Sequence, residues 1–568
     1  MRVPTFGLVV RVIPDVPAID RTFDYLVPEG WEDRAVVGAV VRIPLHGRRV
    51  GGWIEAVGVE PPEGVRLAPL AKISGAGPSG EMIDLCRWAA WRWSGRLATF
   101  LGLASPDRVV GRVASRWRRD PGAAALPPDR PPRVIRRIAP ATSTDAIVLD
   151  ACTLGDTLVV CPSVGQAAAL ARRLRAAGIP TALHPDDWAR AAAGGVTVVG
   201  ARSAAFAPMP RLAAAVVLDE HDEALQSEGS PTWHAREVVL ERARRARVPV
   251  TMTSPVPSLE SMARSPLVVP DRAEERAGWA PLVVVDRRDD DVGRSGLYSP
   301  SIVPHLRSDA PVVCVLNRVG RAQLLACRVC RSLLRCEQCD GPMAQHVEGV
   351  LRCRRCETDR PVVCQACGGT TVALLRQGVT RAREELEALV GEPVSEIGEH
   401  RPATRVSIGT EAALHRVRTA GVVVFLEFDQ ELFAPRYRAA EQALGLLARA
   451  SRVVGGRLGT VVVQTRAPEH EVIRAALHAD PSIVADADAV RRRLTRFPPA
   501  VTMAVVGGQA APGFMQAFGA PLGVDVMARG DDEWILVADD RKVLLDALAA
   551  TPRPPGRLRL QIDPMRLR

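Results

Sequence analysis

Alternating apolar and polar positions open the chain. Between Val9 and Val57 the stretches FDYLVP, VVGAVVRIPL and RRVGGWIEAVGV read as short strands broken by Gly and Pro turns. That spacing predicts a small β-barrel. The period then changes, and EMIDLCRWAAWRW carries apolar residues at helical spacing. Residues 106–137 lose periodicity and read as a Pro- and Ala-rich linker holding Arg112, Arg116, Arg118, Arg119, Arg130, Arg133, Arg136 and Arg137. From about residue 144 the pattern is α/β. DTLVVCPS, GVTVVGARS, AAAVVLDEHD and VPVTMTS each read as a buried strand with a polar turn, alternating with helical segments such as GQAAALARRLRAAG. This alternation predicts a parallel sheet with crossover helices. A second α/β stretch runs from about residue 310 through VVCVLN, VVVFLEF and TVVVQT, and a small α+β unit follows from Pro498 to LRLQIDP.

A chain of 568 residues exceeds one hydrophobic core and predicts three or more domains. No run of about 18 apolar residues appears. The opening MRVPTFGLVVRVIPDV is interrupted by Arg11 and Asp15 and lacks the form of a signal peptide. The expectation is a soluble, cytoplasmic protein with no membrane contact. Net charge is +10, and all but Lys72 and Lys542 of the 74 basic residues are Arg. The guanidinium fork suits phosphate, though charge balance alone identifies no partner.

Twelve cysteines divide into two groups. Cys86, Cys152, Cys161 and Cys314 lie in apolar stretches and read as small buried hydrophobes. The other eight form four CxxC knuckles: Cys327/Cys330, Cys336/Cys339, Cys353/Cys356 and Cys364/Cys367. Four knuckles suffice for two tetrahedral S4 zinc sites. Linear pairing satisfies the spacing, and so does a nested one. The nested assignment carried forward puts Cys327, Cys330, Cys364 and Cys367 on one zinc, and Cys336, Cys339, Cys353 and Cys356 on the other. With every ligand place filled, both ions would be structural and their binding energy would be folding energy. Disulfides and an iron–sulfur cluster are the competing readings, the first disfavoured in a cytosolic chain.

At this cluster the chain resembles the bacterial primosomal replication-restart family, PriA, which inserts a two-zinc ribbon in its second helicase lobe after a strand ending N-R-x-G. Here that strand ends Asn317-Arg318-Val319-Gly320. The likeness extends to the segments 21–30 (RTFDYLVPEG), 200–208 (GARSAAFAP), 233–236 (WHAR), 257–260 (PSLE), 438–441 (RAAE) and 562–564 (IDP). The resemblance implies a multidomain α/β chain. Residues 1–105 would be an N-terminal β-barrel domain for DNA 3′ ends, and residues 106–137 a linker where the family has a winged helix. Residues 138–300 would form RecA-like helicase lobe one, and 301–326 with 368–497 lobe two. The zinc insert would span 327–367 and the C-terminal α+β domain 498–568.

A motor of this class needs a glycine-rich P-loop with a Lys for the phosphates and a Ser/Thr for Mg²⁺. The corresponding stretch, Ile138-Ala139-Pro140-Ala141-Thr142-Ser143-Thr144-Asp145-Ala146, has neither glycine nor lysine. Asp219 and Glu220 read locally as an Mg²⁺ ligand and a base, yet the family's first Asp aligns on Leu218 and its catalytic Glu on Asp219. The final arginine motif keeps Arg452 and shows Gly455 at its second arginine, and the Gly-Thr-Gln motif is reduced to Gly409-Thr410-Glu411. ATP and Mg²⁺ are therefore not expected as cofactors, nor is enzymatic activity.

What the resemblance leaves is binding. Phe23, Asp24 and Tyr25 would line the 3′-end pocket, with Gly47 and Lys72 nearby, and Trp233 and Arg236 would sit on the DNA-facing side of lobe one. The leading expectation is a monomeric restart factor that binds abandoned forks, D-loops and branched DNA. Its partners would be the single-stranded-DNA-binding protein and the replicative helicase or its loader. A degenerate ATP-dependent helicase retaining some hydrolysis is the alternative, and a protein-binding zinc scaffold the third.

Overall fold

The computed structural model describes residues 7–567 apart from 17–18, 20, 61–64, 112, 114–132, 289–295, 317–324, 331–333, 335, 338–342, 348, 354–357, 375–378, 399–403, 531 and 566. Five N-terminal strands, β1 (Val9–Pro14), β2 (Phe23–Leu26), β3 (Val40–Leu45), β4 (Arg48–Val57) and β5 (Lys72–Gly75), form an antiparallel sheet in the order β2-β1-β4-β3-β5. Leu26 of β2 accepts from the amide of Leu70 at 2.9 Å and donates to the carbonyl of Ala68 at 3.0 Å. This draws the first and last strands of the order together. The inward positions Val10, Val12, Val41, Ile43 and Ile54 are all buried, the period-two pattern that made these strands legible. Helices Gly80–Arg92 and Leu97–Ala104 follow, the first capped by Ser79, whose hydroxyl accepts from the amide of Met82.

The next sheet contains β6 (Arg133–Arg137), β7 (Thr157–Val160), β8 (Thr181–His184), β9 (Thr197–Gly200), β10 (Ala214–Val217), β11 (Val250–Ser254) and β12 (Leu267–Val268), in the order β12-β6-β11-β10-β7-β9-β8. Its pairings are parallel. Strand β6 corrects the linker expected over 106–137: its residues 133–137 pair with β11 and β12. Two apolar residues among three arginines gave no strand signal, yet Val134 and Ile135 are buried.

The second parallel sheet is built from β13 (Leu282–Asp286), β14 (Val312–Val315), β20 (Val394–Glu396), β21 (Val406–Gly409), β22 (Val422–Phe425) and β23 (Thr460–Thr465), in the order β13-β23-β22-β14-β21-β20. Because β13 pairs with β23, the lobe boundary expected at residue 300 moves to before Leu282. Between β14 and helix Val379–Val390 lies the cysteine-rich insert, with β15 (Leu325–Cys327), β16 (Met343–Val347), β17 (Val350–Cys353), β18 (Asp359–Pro361) and β19 (Val372–Leu374). The chain ends in an antiparallel sheet ordered β25-β26-β24-β27, from β24 (Thr502–Gly507), β25 (Asp525–Ala528), β26 (Glu533–Ala538) and β27 (Arg559–Ile562). No helix among the described residues is long and apolar enough to cross a membrane.

The parts are not independent beads. One apolar core joins Trp93 and Phe100 of the N-terminal helices, Phe206 and Trp233 of the first lobe, and Phe514 and Leu536 of the C-terminal unit. Trp188 of the first lobe donates to the carbonyl of Ala104 at 3.0 Å. Beside β8, His184 is buried with neither ring nitrogen hydrogen-bonded, and burial lowers its pKa from 6.5 to about 4. The folded chain therefore refuses a proton that the unfolded chain accepts between those values. Stability is full above pH 6.5 and falls toward pH 4, on the order of 1.4 kcal/mol per unit for this one group. Urea midpoints measured from pH 7 to pH 4 check this, and His184→Leu should remove one proton's worth of the slope.

Candidate functional site

Three places could carry function: the cysteine insert, the N-terminal sheet and the cleft between the two parallel lobes. In the insert, the Sγ atoms of Cys327, Cys330, Cys364 and Cys367 all lie within 4.8 Å of one another. Cys327 and Cys367 are 3.5 Å apart, as are Cys330 and Cys364. Four thiolates at about 2.3 Å from one tetrahedral ion stand about 3.8 Å apart, so the group fits a metal. Two further details suit a ligand loop. The amide of Val329 points at Cys327 Sγ at 3.4 Å. A side chain at Gly369 would come within 3.1 Å of that sulfur and 3.4 Å of Cys367 Sγ, so glycine leaves the room the thiolates need. The outer knuckles are thus the pair brought together, as in the nested assignment. Of the inner set, Cys336 and Cys353 are buried in the insert's own core, while Cys339 and Cys356 lie outside the described residues. Cys86, Cys161 and Cys314 are buried as expected, and Cys152 is half-buried.

On the N-terminal sheet, the three residues expected to line a pocket differ in fate. Tyr25 is buried, with its hydroxyl donating to the Pro44 carbonyl at 3.0 Å. Tyr25 is therefore core rather than a stacking face, which corrects that expectation. Asp24 is gripped by Arg11 of β1 through two bonds of 2.9 and 3.1 Å. Phe23 is half-buried with the Arg21 guanidinium 4.9 Å from its ring centre. Gly47 sits at the exposed β3–β4 turn with φ +76°, and Lys72 is exposed on β5 opposite Arg42. Phe23, Gly47 and Lys72 remain reachable from solvent.

Trp233 and Arg236 are corrected outright. Trp233 is buried edge-on against Phe206, ring centres 5.2 Å apart, and Arg236 is buried. Arg236 donates to Glu220 at 2.6 Å and to the Ser258 hydroxyl at 2.9 Å. Neither offers a surface to DNA. Glu220 falls with them: fully buried, it accepts from the Ser258 amide and hydroxyl, both at 2.8 Å, and from Ser261 and Arg236. A buried carboxylate that accepts four hydrogen bonds, three of them on one oxygen, is placed as a structural hub.

The cleft sits where β6 and β10 end. It is about 300 Å³ and is lined by the 140–145 loop, Cys161, Leu170, Arg173, Leu218, Asp219 and Arg452. In a P-loop the backbone amides face the phosphates. Here the amide of Ala141 donates to the Gly278 carbonyl at 3.2 Å, and that of Thr142 to Ala139 at 2.9 Å. The Asp145 amide donates to the Ser143 hydroxyl. The Pro140 carbonyl accepts from Arg452 Nε at 2.8 Å. The same guanidinium, from lobe two, grips Asp219 through two bonds of 2.6 and 2.8 Å. Burial opposes ionisation of Asp219, but the Arg452 charge and hydrogen bonds outweigh it and hold the carboxyl far below the usual range. The other charged pair, Arg173 with Asp145, is closed by two bonds of 2.9 Å. Leu218, aligned with the family's metal-binding Asp, is buried apolar packing.

Gly456 completes the seal. Its φ is +64°, and a Cβ there would meet the Ala277 carbonyl at 2.7 Å and Ala141 Cβ at 3.1 Å, so lobe two nests directly on the loop. A few residues away, Arg449 of lobe two pairs with Asp222 of lobe one. The arginine motif made Arg452 visible in the sequence. Its partner across the cleft, and the pair formed by Arg449, had no local signal.

Comparison with known proteins agrees with the geometry of the N-terminal part: residues 11–106 match the family model of the 3′ DNA-binding domain of PriA. The chain is 27% identical over 564 residues to the probable replication restart protein PriA of Mycobacterium leprae, covering 87% of this chain and 86% of that one. It is 27% identical over 364 residues to the Bacillus subtilis protein (58% and 45%) and 30% identical over 339 residues to that of Treponema pallidum (54% and 51%). With these last two it spans about half their length. Among solved structures, yeast Dbp5 bound to RNA and ADP BeF3 gives a TM-score of 0.38 at 12% identity, covering 66% of this chain and 90% of that one. At that distance the likeness adds nothing to the assignment.

The cleft pair is open to measurement. Arg452→Ala strands a buried carboxylate and should cost about 1.5–3 kcal/mol, whereas adding Asp219→Ala to it should recover part of that loss. Urea unfolding of both single variants and the double variant gives the coupling energy, which should be about 1–3 kcal/mol.

Proposed function

We propose that the chain is a replication-restart factor of the PriA family that binds forked and branched DNA without hydrolysing ATP. Its task would be to mark an abandoned fork or D-loop and recruit the single-stranded-DNA-binding protein and the replicative helicase or its loader. The observation that carries this reading is the guanidinium of Arg452. It lies against a loop carbonyl and a carboxylate where a nucleotide-driven member would place triphosphate and Mg²⁺. Two carboxylates and two guanidiniums face the cleft as closed pairs, so it offers a polyanion no spare positive charge. Without turnover, the lobes serve as a rigid frame.

Recognition then falls to the 3′ DNA-binding domain. Phe23 would stack on a base at the strand end, with Lys72 and the Gly47 turn beside the backbone, and Asp24 would share its carboxylate between Arg11 and a terminal hydroxyl. Most of the affinity would come from arginine–phosphate contacts, and specificity from the shape of ends and junctions. The insert would hold two structural zinc ions, the second on Cys336, Cys339, Cys353 and Cys356. These ions fix the fold of the insert and take no part in chemistry. The protein would act as a monomer in the cytoplasm, at the nucleoid.

Two measurements test this. Zinc-replete protein should bind a fork with log K falling against log[salt] at a slope of roughly −4, if about five phosphates are neutralised. It should show no DNA-stimulated ATPase. Turnover abolished by Asp219→Ala would overturn the non-hydrolysing reading, and failure to bind a fork at about 100 mM salt would overturn DNA binding. Separately, Cys364→Ser should lower tightly bound zinc by one equivalent in elemental analysis while leaving the unfolding of the lobes unchanged.

A further inference from the structure

Phe433 is the one exposed ring of Phe, Tyr or Trp among the described residues, with 64% of its surface open. Leaving such a ring in water forgoes about 2–3 kcal/mol of burial, and the chain buries or half-buries its other described Phe, Tyr and Trp rings. Nor is Phe433 a loose tip. It follows helix Asp429–Leu432 directly, and its amide donates to the Asp429 carbonyl at 3.0 Å. The Asp429 carboxylate in turn accepts from the Arg466 amide at 2.9 Å and from the Thr465 hydroxyl. The loop after β22 is thereby fastened to the turn after β23. The ring stands edge-on to His470 at 5.7 Å and 87°, and His470 is itself fixed as a helix cap, its Nδ1 accepting from the Val472 amide. One face of Phe433 is thus held perpendicular to a clamped imidazole while the rest faces solvent.

Both segments leave the carboxyl ends of adjacent parallel strands, β22 and β23, the edge at which open α/β sheets bind ligands. Arg466 and Arg474, both exposed, stand on the segment that holds His470. A single fixed ring beside arginines and an imidazole is poorly suited to an apolar protein partner, whose anchors sit within a larger apolar patch. It suits an unpaired base, which needs one flat face for its ring and cations for its phosphates.

We propose that Phe433 is a stacking platform for one unpaired nucleotide, so that lobe two reads single-stranded DNA at the fork while the N-terminal domain holds the strand end. This rests on the reading of the chain as a fork-binding protein and adds a second contact to it. In that arrangement His470 positions the ring, and Arg466 and Arg474 face the flanking phosphates.

The experiment compares the full zinc-replete chain with Phe433→Ala, Phe433→Leu and Phe433→Trp on a fork with single-stranded arms and on a blunt duplex of equal length. Base stacking of about 1–3 kcal/mol corresponds to roughly 5- to 150-fold weaker fork binding for the Ala and Leu variants. Trp should stay close to wild type, blunt-duplex binding should not change, and a 2-aminopurine in the arm should be quenched by wild type and Trp alone. Because the ring is exposed, thermal unfolding should be unaltered in all four proteins. Equal fork affinity for wild type and Ala, as a protein-docking role for Phe433 would give, overturns the proposal while leaving fork binding intact. A Leu variant as tight as wild type, or an equal loss on fork and duplex, also overturns it. A wild-type chain that binds no fork sinks the parent reading and this one together.

Discussion

A buried lattice of arginines and carboxylates holds the separate parts of this chain in one arrangement. Arg492, 1% exposed, bonds Glu441 at 2.9 Å, Asp488 at 2.8 Å and Glu260 at 3.2 Å. Glu260, on lobe one, also receives Arg438 of lobe two at 2.5 Å. Arg92 of the N-terminal helices pairs with Asp563 near the C-terminus at 2.9 Å, and the backbone of Ile562 exchanges two bonds of 3.0 Å with the Thr232 hydroxyl. Burying so many charges costs about as much as their attraction returns. The lattice is therefore weak as a source of stability and strong as a specification of geometry. Remove one member and its partners are left charged in a dry interior, so each domain orientation is tied to every other.

That economy explains which segments resemble the family most. The Trp233–Arg236 stretch, Pro257–Glu260, Arg438–Glu441 and Ile562–Pro564 all fall in or beside this lattice rather than on a nucleic-acid surface. Tyr437 makes the same point: it stacks on Phe497 at 5.0 Å, donates to the Pro564 carbonyl, and lies under both Arg438 and Arg492. A polar motif in a relative of a DNA-binding protein invites assignment to DNA. Here burial shows that Arg236 and Glu220 are consumed by each other.

The parallel sheets, the antiparallel N-terminal strands and the cysteine knuckles were legible because their signals are local. Valine runs such as 157–160 and 422–425 have a short period, and CxxC declares its own geometry. Strand β6 was hidden because Arg133, Arg136 and Arg137 mask two inward residues, and its partners lie more than a hundred residues away. The fate of Asp219 was equally illegible. An Asp–Glu pair at a strand end looks the same whether it faces Mg²⁺ or an arginine 233 positions onward. Long-range electrostatics leaves no mark on the local pattern.

A nucleotide-driven pair of lobes needs its cleft to open and close, and triphosphate supplies the glue in one state only. In this chain Arg452–Asp219 and Arg449–Asp222 bridge the cleft, and Gly456 packs on the loop. A bridge supplied by the chain's own side chains favours the arrangement in which it forms. On the proposed non-hydrolysing reading, the residues that occupy the phosphate side of the cleft are the same ones that tie the lobes together. Two features that look independent in the sequence, the missing lysine and the shifted Asp219–Glu220 pair, meet in the structure at one place, the cleft where Arg452 grips Asp219. If the lobes serve as the frame proposed above, these bridges would set the offset between the C-terminal edge of lobe two and the N-terminal domain, and with it the spacing between a bound strand end and the junction.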